Sequence, residues 1–248
     1  MTAHPGPTTE PLQLKSVIKL ALEAAHAEKI HDEPTLRSAR FVWKLGEGLK
    51  SQFCREAHST LLTQRVLDGN GREDGRKKGT RIRKEPGEWL LDIAIVQKTE
   101  IEDHGSKSVS NINTRMIWAV ESESSTSLKD FADDFGKLLC VKADEYLYLN
   151  GLDQQPGKNQ ELFISRRIET IERGLNKKLR EIRNQPANFY MAFWPSPSNG
   201  KRGWDDGTPI DKLKAEVRLF VLREADSDNV EFVEVGDRDF NGAFQFRR

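Results

Sequence analysis

Two short apolar segments with acidic residues inside them constrain the fold of this chain more than any other feature. Residues 89–96 form an apolar run with Asp92 in its middle, and residues 116–123 form a second run that ends in Glu121-Ser122-Glu123. Both runs are rich in branched and aromatic residues, which predicts β-strands. Glu121 and Glu123 then share a face and lie roughly 6.5–7 Å apart along it. A carboxylate in a buried strand is costly unless it is paired or binds a metal, so we expect a divalent-cation site.

Structural roles can also account for these acids. Asp92 could form an ion pair with an arginine, since structural ion pairs also place carboxylates in strands. Glu121 and Glu123 could be a solvated strand end that favours the N-terminus of the following helix. The three acids taken together with the order of the elements favour the metal site over both alternatives.

Hydrophobic periodicity predicts a single α/β domain. Residues 1–11 are predicted to be a flexible tail, and residues 12–248 to form one domain with its core at about 35–195. Helices are predicted at about 12–30, 35–57, 127–143 and 159–184, and strands at about 61–67, 89–96, 116–123, 145–149, 189–194, 215–222 and 230–235. The polar segment 97–115 predicts a long turn. The expected architecture is a central mixed β-sheet flanked by helices, with a C-terminal antiparallel extension.

Composition and charge leave the class of partner open. The chain has 248 residues and a formal net charge of zero, so only local charge can indicate a nucleic-acid partner. A Gly-rich segment between residues 68 and 84 is locally basic. Such a loop is usually only solvated, but beside a phosphate-cutting site it becomes a candidate backbone clamp. Its candidate nucleic-acid-binding residues are Arg72, Arg76, Lys77, Lys78, Arg81, Arg83 and Lys84.

The cysteines and the hydropathy pattern favour a cytoplasmic protein. Cys54 and Cys140 have no paired spacing and are interpreted as reduced core residues. No run of 18 apolar residues exists, and the first residues lack the pattern of a secretion signal. We therefore expect no membrane span.

The order of these elements resembles the core of the PD-(D/E)xK, or restriction-endonuclease-like, nuclease superfamily. A helix with an inward acid, Glu56, is followed by the Asp92 strand, the strand ending in Glu-x-Glu, a helix and another strand. The resemblance covers about residues 41–150 and implies that Asp92 and Glu121 bind Mg²⁺, with Mn²⁺ as a substitute. The carbonyl of Ser122 would join them in an open site, and Mg²⁺ prefers such sites because it keeps waters and substrate oxygens.

This chain departs from the family pattern at two positions. Leu91 precedes Asp92 where the family often has proline, which is chemically a minor change. Glu123 stands where the family has a lysine that helps to activate the attacking water, an arrangement that some type II restriction enzymes share. Glu123 could orient or deprotonate water or bind a second metal, or a lysine from the following helix could act instead. Lys129 is the nearer candidate, whereas Lys137 is expected to point away from the apolar face of that helix.

The sequence therefore predicts a Mg²⁺-dependent nuclease that hydrolyses phosphodiester bonds. A restriction or other defence role would fit such an enzyme. DNA is the expected substrate because the resembled family mostly cuts DNA, and a homodimer is expected if both strands are cut. The rival interpretation is a catalytically inactive nuclease-fold module that binds nucleic acid or protein, which the missing lysine favours. The third interpretation is an unrelated α/β protein whose acids form ordinary ion pairs.

Overall fold

Five helices and seven strands form the described part of the chain. The computed structural model describes residues 10–28, 34–54, 59–63, 91–102, 109–123, 127–153, 157–182, 188–196, 207–225 and 229–236. The helices are α1 (Pro11–Ala27), α2 (Pro34–Phe53), α3 (Leu128–Leu139), α4 (Lys158–Ile182) and α5 (Ile210–Ala215). The strands are β1 (Ser59–Thr63), β2 (Ile93–Glu102), β3 (Val109–Glu123), β4 (Glu145–Leu152), β5 (Asn188–Pro195), β6 (Arg218–Glu224) and β7 (Val230–Glu234). None of the helices within these ranges has the length and apolar character needed to cross a membrane.

The seven strands form one mixed sheet in the order β1-β2-β3-β4-β5-β6-β7. Strands β3, β4 and β5 run parallel to one another, and every other neighbouring pair is antiparallel. A parallel pair requires a crossover connection, and α3 and α4 supply the two that this sheet needs. The predicted mixed sheet with flanking helices is confirmed, and β6 and β7 form its antiparallel C-terminal end.

Helices cover both faces of the sheet. On the α1/α2 face, residues such as Leu22 and Leu45 pack against Ile93, Val120 and Leu147. On the α3/α4 face, the apolar sides of α3 and α4 pack against alternate residues of the same strands; the core residues there include Ala94, Ala119, Phe131, Phe135, Leu138, Tyr148, Ile164 and Met191. Because successive strand residues point to opposite faces, Asp92 and Glu121 follow the pattern of Ala94 and Ala119 and belong to the α3/α4 face.

The segment between the two acidic strands differs from the predicted turn. Strand β2 continues to Glu102 and β3 begins at Val109, so the two form a long hairpin. Its outer part extends beyond the residues that pair with β1 and β4, and Ile101 and Ile112 are exposed there. A ribbon that has solvent on both sides does not need alternating apolar residues, which is why the polar sequence was interpreted as a turn. The short helix α5 was not predicted either.

Removal of an aromatic ring from the α1/α2 face is expected to destabilise the fold strongly. The rings of Phe41 on α2 and Trp194 on β5 are fully buried and stack with centroids 4.0 Å apart. Phe41→Ala should lower the free energy of unfolding by about 3–5 kcal/mol in urea denaturation, because it leaves a cavity in a packed core. The control is Leu20→Ala on α1, where the side chain is 60% exposed and the change should stay within about 0.5 kcal/mol. Equal effects of the two substitutions would contradict this packing.

Candidate metal and phosphodiester site

The antiparallel pairing of β2 and β3 brings Asp92 and Glu121 together. Ile93 is paired with Val120, and the same register places Asp92 opposite Glu121 one residue further on. Asp92 lies immediately before the first residue of β2 rather than at the strand centre expected from the sequence. Its Oδ2 accepts a hydrogen bond of 2.9 Å from the backbone N–H of Ser122. This bond fixes the Asp92 carboxylate against the end of β3, where the two predicted metal-binding acids become neighbours.

The carboxyl group of Glu121 is buried in an unfavourable environment. Glu121 is 1% exposed, and its Oε1 has no hydrogen-bond partner among the described residues. Burial, followed by the negative charge of Asp92, raises the pKa of Glu121 to about 8, and Asp134 acts in the same direction. The ammonium group of Lys137 opposes this shift only in part. Near neutral pH, Glu121 therefore carries a proton unless a cation takes the proton's place.

A lysine of helix α3 approaches the two acids. The Nζ of Lys137 lies 3.5 Å from Oε2 of Glu121 and 2.5 Å from Oδ1 of Asp134 on the preceding turn. Burial disfavours the charged form of Lys137, but the hydrogen bond that Lys137 donates to Asp134 and the charges of Glu121, Asp134 and Asp92 outweigh it and raise the pKa of Lys137. The ammonium is thus held in its charged form, mainly by Asp134, at contact distance from Glu121.

The expectation that Lys137 points away from the site is wrong. Lys137 lies on the flank of α3, and its side chain of four methylene groups reaches back towards the sheet. Lys129, the lysine preferred from the sequence, is exposed on the first turn of the same helix. The ammonium group that contacts a predicted metal-binding acid in the described structure is therefore that of Lys137.

Glu123 lies in different surroundings from Glu121, although the two side chains share a face of β3. Its backbone oxygen accepts a hydrogen bond of 3.0 Å from Nδ2 of Asn150 on β4. Its charge acts on Tyr148 of β4 and on Arg167 of α4. Arg167 is 5% exposed, and its guanidinium group lies over the ring of Phe131 at 4.5 Å from the centroid.

Several predicted site residues lie outside the described ranges. Glu56 follows the described end of α2, which packs on the opposite face of the sheet from Asp92 and Glu121. The basic segment also lies outside them, with Arg72, Arg76, Lys77, Lys78, Arg81, Arg83 and Lys84. The predicted roles of these residues stay predictions.

Asp92 and Glu121 provide a small donor set for a metal ion. Within the ten described ranges, no group of three or more His, Cys, Asp or Glu side chains is placed to hold a metal. Two carboxylates are nevertheless sufficient for Mg²⁺, which commonly binds one or two carboxylates and takes its other ligands from water and substrate phosphate. The buried Oε1 of Glu121 without a hydrogen-bond partner is consistent with such an ion, because a cation would compensate its charge.

Sequence reasoning missed Asp134 and Arg167, and it considered Lys137 but set it aside. Asp134 and Lys137 are three residues apart, so they are neighbours on one flank of a helix, and the acid-base pair at that spacing was the available signal. Arg167 gave no such signal, because the many alternating charges of α4 make it resemble the exposed residues of an ordinary surface helix.

The raised pKa of Glu121 predicts that stability decreases with increasing pH. The carboxyl loses its proton near pH 4.5 in the unfolded chain and near pH 8 in the folded one, so the folded state binds the extra proton between these values. Its contribution to the free energy of unfolding is therefore present below about pH 4.5 and is lost as the pH rises through about 8. The upper limit of this loss is about 5 kcal/mol, since one pKa unit corresponds to about 1.4 kcal/mol.

Urea denaturation between pH 4.5 and 9 without divalent metal measures this effect. Glu121→Gln should flatten the decrease and be more stable than the unmodified protein at pH 9, because the amide cannot ionise. Glu47→Gln, at an exposed position of α2, is the control and should keep the original profile. A decrease that persists unchanged in Glu121→Gln would show that another group causes it.

No family model, curated protein or solved structure matches this chain. What the site does must therefore be inferred from its own residues and their geometry.

Proposed function

We propose that the chain is a Mg²⁺-dependent nuclease that hydrolyses phosphodiester bonds of DNA. The observation that carries this proposal is the pairing of Asp92 with the buried Glu121, whose Oε1 has no hydrogen-bond partner among the described residues, beside the ammonium of Lys137. Two carboxylates and a cation at the end of neighbouring strands fit hydrolysis of a phosphate ester better than a structural ion pair. An ion pair that fully compensated the charge of Glu121 would lower the pKa of its carboxyl group, whereas that pKa is raised to about 8.

The order of the elements also supports this proposal. Helix α2, strands β1, β2 and β3, helix α3 and strand β4 follow one another, with β3 and β4 parallel. Apart from β1, which lies between the helix and the Asp92 strand, this is the order on which the resemblance to PD-(D/E)xK nucleases is based. Asp92 immediately precedes the second of these strands, and Glu121 lies near the end of the third.

The residues of the site have distinct roles in the proposed reaction. Asp92 and Glu121 would hold Mg²⁺, or Mn²⁺ as a substitute, and the carbonyl of Ser122 would be a further oxygen ligand. The metal supplies stabilisation of the charge on phosphate and acidifies a water molecule. To hold the ion, Glu121 would have to be deprotonated, and its proton would pass to solvent. The Nζ of Lys137 lies beside the carboxyl group of Glu121. From there its ammonium group would stabilise the nucleophile or the charge that develops on phosphate.

Lys137 supplies the positive charge that Glu123 cannot. In the Glu-x-Glu sequence the position of the usual lysine is occupied by an acid, and α3 places an ammonium 3.5 Å from the first glutamate instead. The predicted basic segment 72–84 would contact the nucleic-acid backbone, because contacts of lysine and arginine with phosphate supply most of the affinity. A homodimer would present two such sites to a duplex.

A catalytically inactive nuclease-fold module is the second candidate. Two observations favour it: α3 leaves Glu121 only 1% exposed, and no third acid joins the pair within the described residues. Such a module would bind nucleic acid or protein without cutting.

Cleavage assays with plasmid and single-stranded DNA test the proposal. Cutting should require Mg²⁺ or Mn²⁺, stop with EDTA, and fall by about 10³-fold or more in Asp92→Asn and Glu121→Gln, because both metal ligands are needed. Lys137→Met should lower the cleavage rate by about 10²-fold, the effect of losing one group that stabilises developing charge. Lys142→Met, at an exposed position after α3, is the matched control and should cut normally.

The outcomes separate the candidates. If the large loss occurs in Lys129→Met and not in Lys137→Met, the ammonium comes from the first turn of α3. DNA binding without metal-dependent cutting would identify the inactive module. A calorimetric titration in which Mg²⁺ binds no better than to a free carboxylate would leave only structural roles for Asp92 and Glu121.

A further inference from the structure

Two buried hydrogen-bond donors lie at the C-terminal end of β5. The side chains of Trp194 and Ser196 belong to residues that are 0% and 1% exposed, and neither the indole N–H nor the hydroxyl group has a hydrogen-bond partner among the described residues. The backbone N–H of Ser196 donates to the Leu152 oxygen at 3.0 Å, so the pairing of β4 with β5 continues through Ser196. Side chains two residues apart in an extended chain point to the same face, and for Trp194 this is the α1/α2 face.

Two aromatic contacts show how α2 crosses this face. Near the start of α2 the ring of Phe41 stacks on Trp194, and at its end the ring of Phe53 lies 5.8 Å from that of Trp118. Trp118 lies at the level of the sheet at which β5 begins. The strand spans about 20 Å between the two levels, and α2 spans about 18 Å between its two phenylalanines. Helix α2 therefore runs roughly antiparallel to β5, and its first turn lies over the C-terminal end of that strand.

This direction places a buried arginine near the two donors. Arg37 precedes Phe41 by one helical turn, so it shares the side of α2 that faces the sheet, and it is 3% exposed. It lies about 6 Å beyond Phe41 along the helix, and Ser196 lies about 7 Å beyond Trp194 along the strand in the same direction. Arg37, Trp194 and Ser196 are thus gathered where the parallel strands end, which is the usual place for ligands in α/β sheets.

The chemistry of these three groups favours an anion. A guanidinium group and an indole N–H can only donate hydrogen bonds, and a serine hydroxyl group can donate one. The next buried arginine of α2, Arg40, forms an ion pair with Glu28, which also lies 3.3 Å from the Nζ of Lys44. Glu28 is therefore already shared between two cations. Donors that surround one place fit a ligand whose oxygens only accept, and guanidinium groups bind phosphate oxygens with charge-assisted hydrogen bonds.

We propose that Arg37, Trp194 and Ser196 bind a phosphate group at the C-terminal end of β5, on the face of the sheet opposite to Asp92 and Glu121. The indole N–H and the hydroxyl group donate to the phosphate oxygens, and the guanidinium group supplies the positive charge. The site needs no divalent metal, so this inference goes beyond the proposed function and does not rest on it. The phosphate group is either inorganic phosphate or the terminal group of a nucleotide, and separate titrations distinguish the two.

Calorimetric titrations with sodium phosphate, in EDTA and at constant ionic strength, test the assignment. Arg37→Met should weaken phosphate binding by about tenfold or more, because it removes a charged donor. Ser196→Ala and Trp194→Phe should each weaken it by about 3–10-fold, because each removes one neutral donor. Trp194→Phe keeps an aromatic ring for the stack with Phe41. A nucleoside monophosphate that binds when inorganic phosphate does not, with the same dependence on these residues, would identify a nucleotide as the source of the phosphate group.

Three matched variants are the controls. Trp118→Phe also removes a fully buried indole N–H that has no partner among the described residues, but at the other end of α2, and it should retain the phosphate affinity. Lys50→Met removes a positive charge from the last turn of α2 and should retain it as well. Asp92→Asn should also bind phosphate normally, because the titration contains no divalent metal.

Thermal unfolding separates phosphate binding from a merely structural role of Ser196. Without phosphate, Ser196→Ala should not lower the midpoint, because alanine replaces a buried hydroxyl group without a hydrogen-bond partner in the described structure. With phosphate, the midpoint of the unmodified protein should rise more than that of the variant, because a ligand stabilises the state that binds it. The general stabilising effect of phosphate salts would raise both midpoints equally.

Three results would overturn the inference. The first is an unmodified protein that binds neither inorganic phosphate nor a nucleoside monophosphate. The second is an affinity that stays the same in Arg37→Met, Ser196→Ala and Trp194→Phe. The third is phosphate binding that disappears in Asp92→Asn, which would place the anion at the acidic pair. If Arg37→Met does not fold, Ser196→Ala and Trp194→Phe decide the question. The proposed nuclease activity is judged by its own metal-dependent cleavage assays and survives failure of this site.

Discussion

The burial of the Glu121 carboxyl group beside Asp92 is the constraint on which the rest of the site depends. Neighbouring strands place the two acids opposite each other, and α3 covers Glu121 almost completely. Two like charges in a poorly solvated place cannot both persist without compensation, so Glu121 either keeps a proton or is compensated by a cation. Such an arrangement reduces stability and is therefore typical of groups that are retained for function.

Helix α3 determines how much compensation the protein itself supplies. Asp134 holds the ammonium of Lys137 at 2.5 Å, so the positive charge is shared between a partly exposed aspartate and the buried glutamate. The pKa of Glu121 is still raised to about 8, so the ammonium of Lys137 offsets the effects of burial and of Asp92 only in part. A divalent ion would compensate the charge of Glu121 more fully than one shared ammonium does. The charge of Glu123, by contrast, acts on Arg167 of α4.

The strands and their acids could be predicted from the sequence because buried strands are composed mainly of apolar residues. Central strands covered on both faces contain continuous apolar residues, as in β4 and β5, and Asp92 and Glu121 were visible as exceptions within such runs. The outer part of the β2–β3 hairpin was missed because it is not covered, so its residues carry no burial pattern. Helix positions were confirmed to within a few residues for α1, α3 and α4.

The cations of the site were harder to predict than its acids. Lys137 was excluded by a helical-wheel argument that describes where the Cβ atom points, whereas the ammonium group lies at the end of a long flexible chain. The surroundings of Arg167 depend on α4 packing over Phe131, a contact between residues distant in sequence. Which acid has which neighbour is a property of tertiary packing, and one sequence does not specify it.

The strands occur in the sheet in the same order as in the chain. Each strand after β1 therefore adds to the edge formed by its predecessor, and none has to insert between two strands that are already joined. Chain closure between such neighbours is entropically inexpensive and favours rapid assembly. The residues that bring Asp92 and Glu121 together, in β2 and β3, precede α4 and the last three strands in the chain, so their pairing does not require those later elements. The Asp92–Glu121 pair is thus among the first parts of the sheet that can form, and the later helices and strands pack next to it.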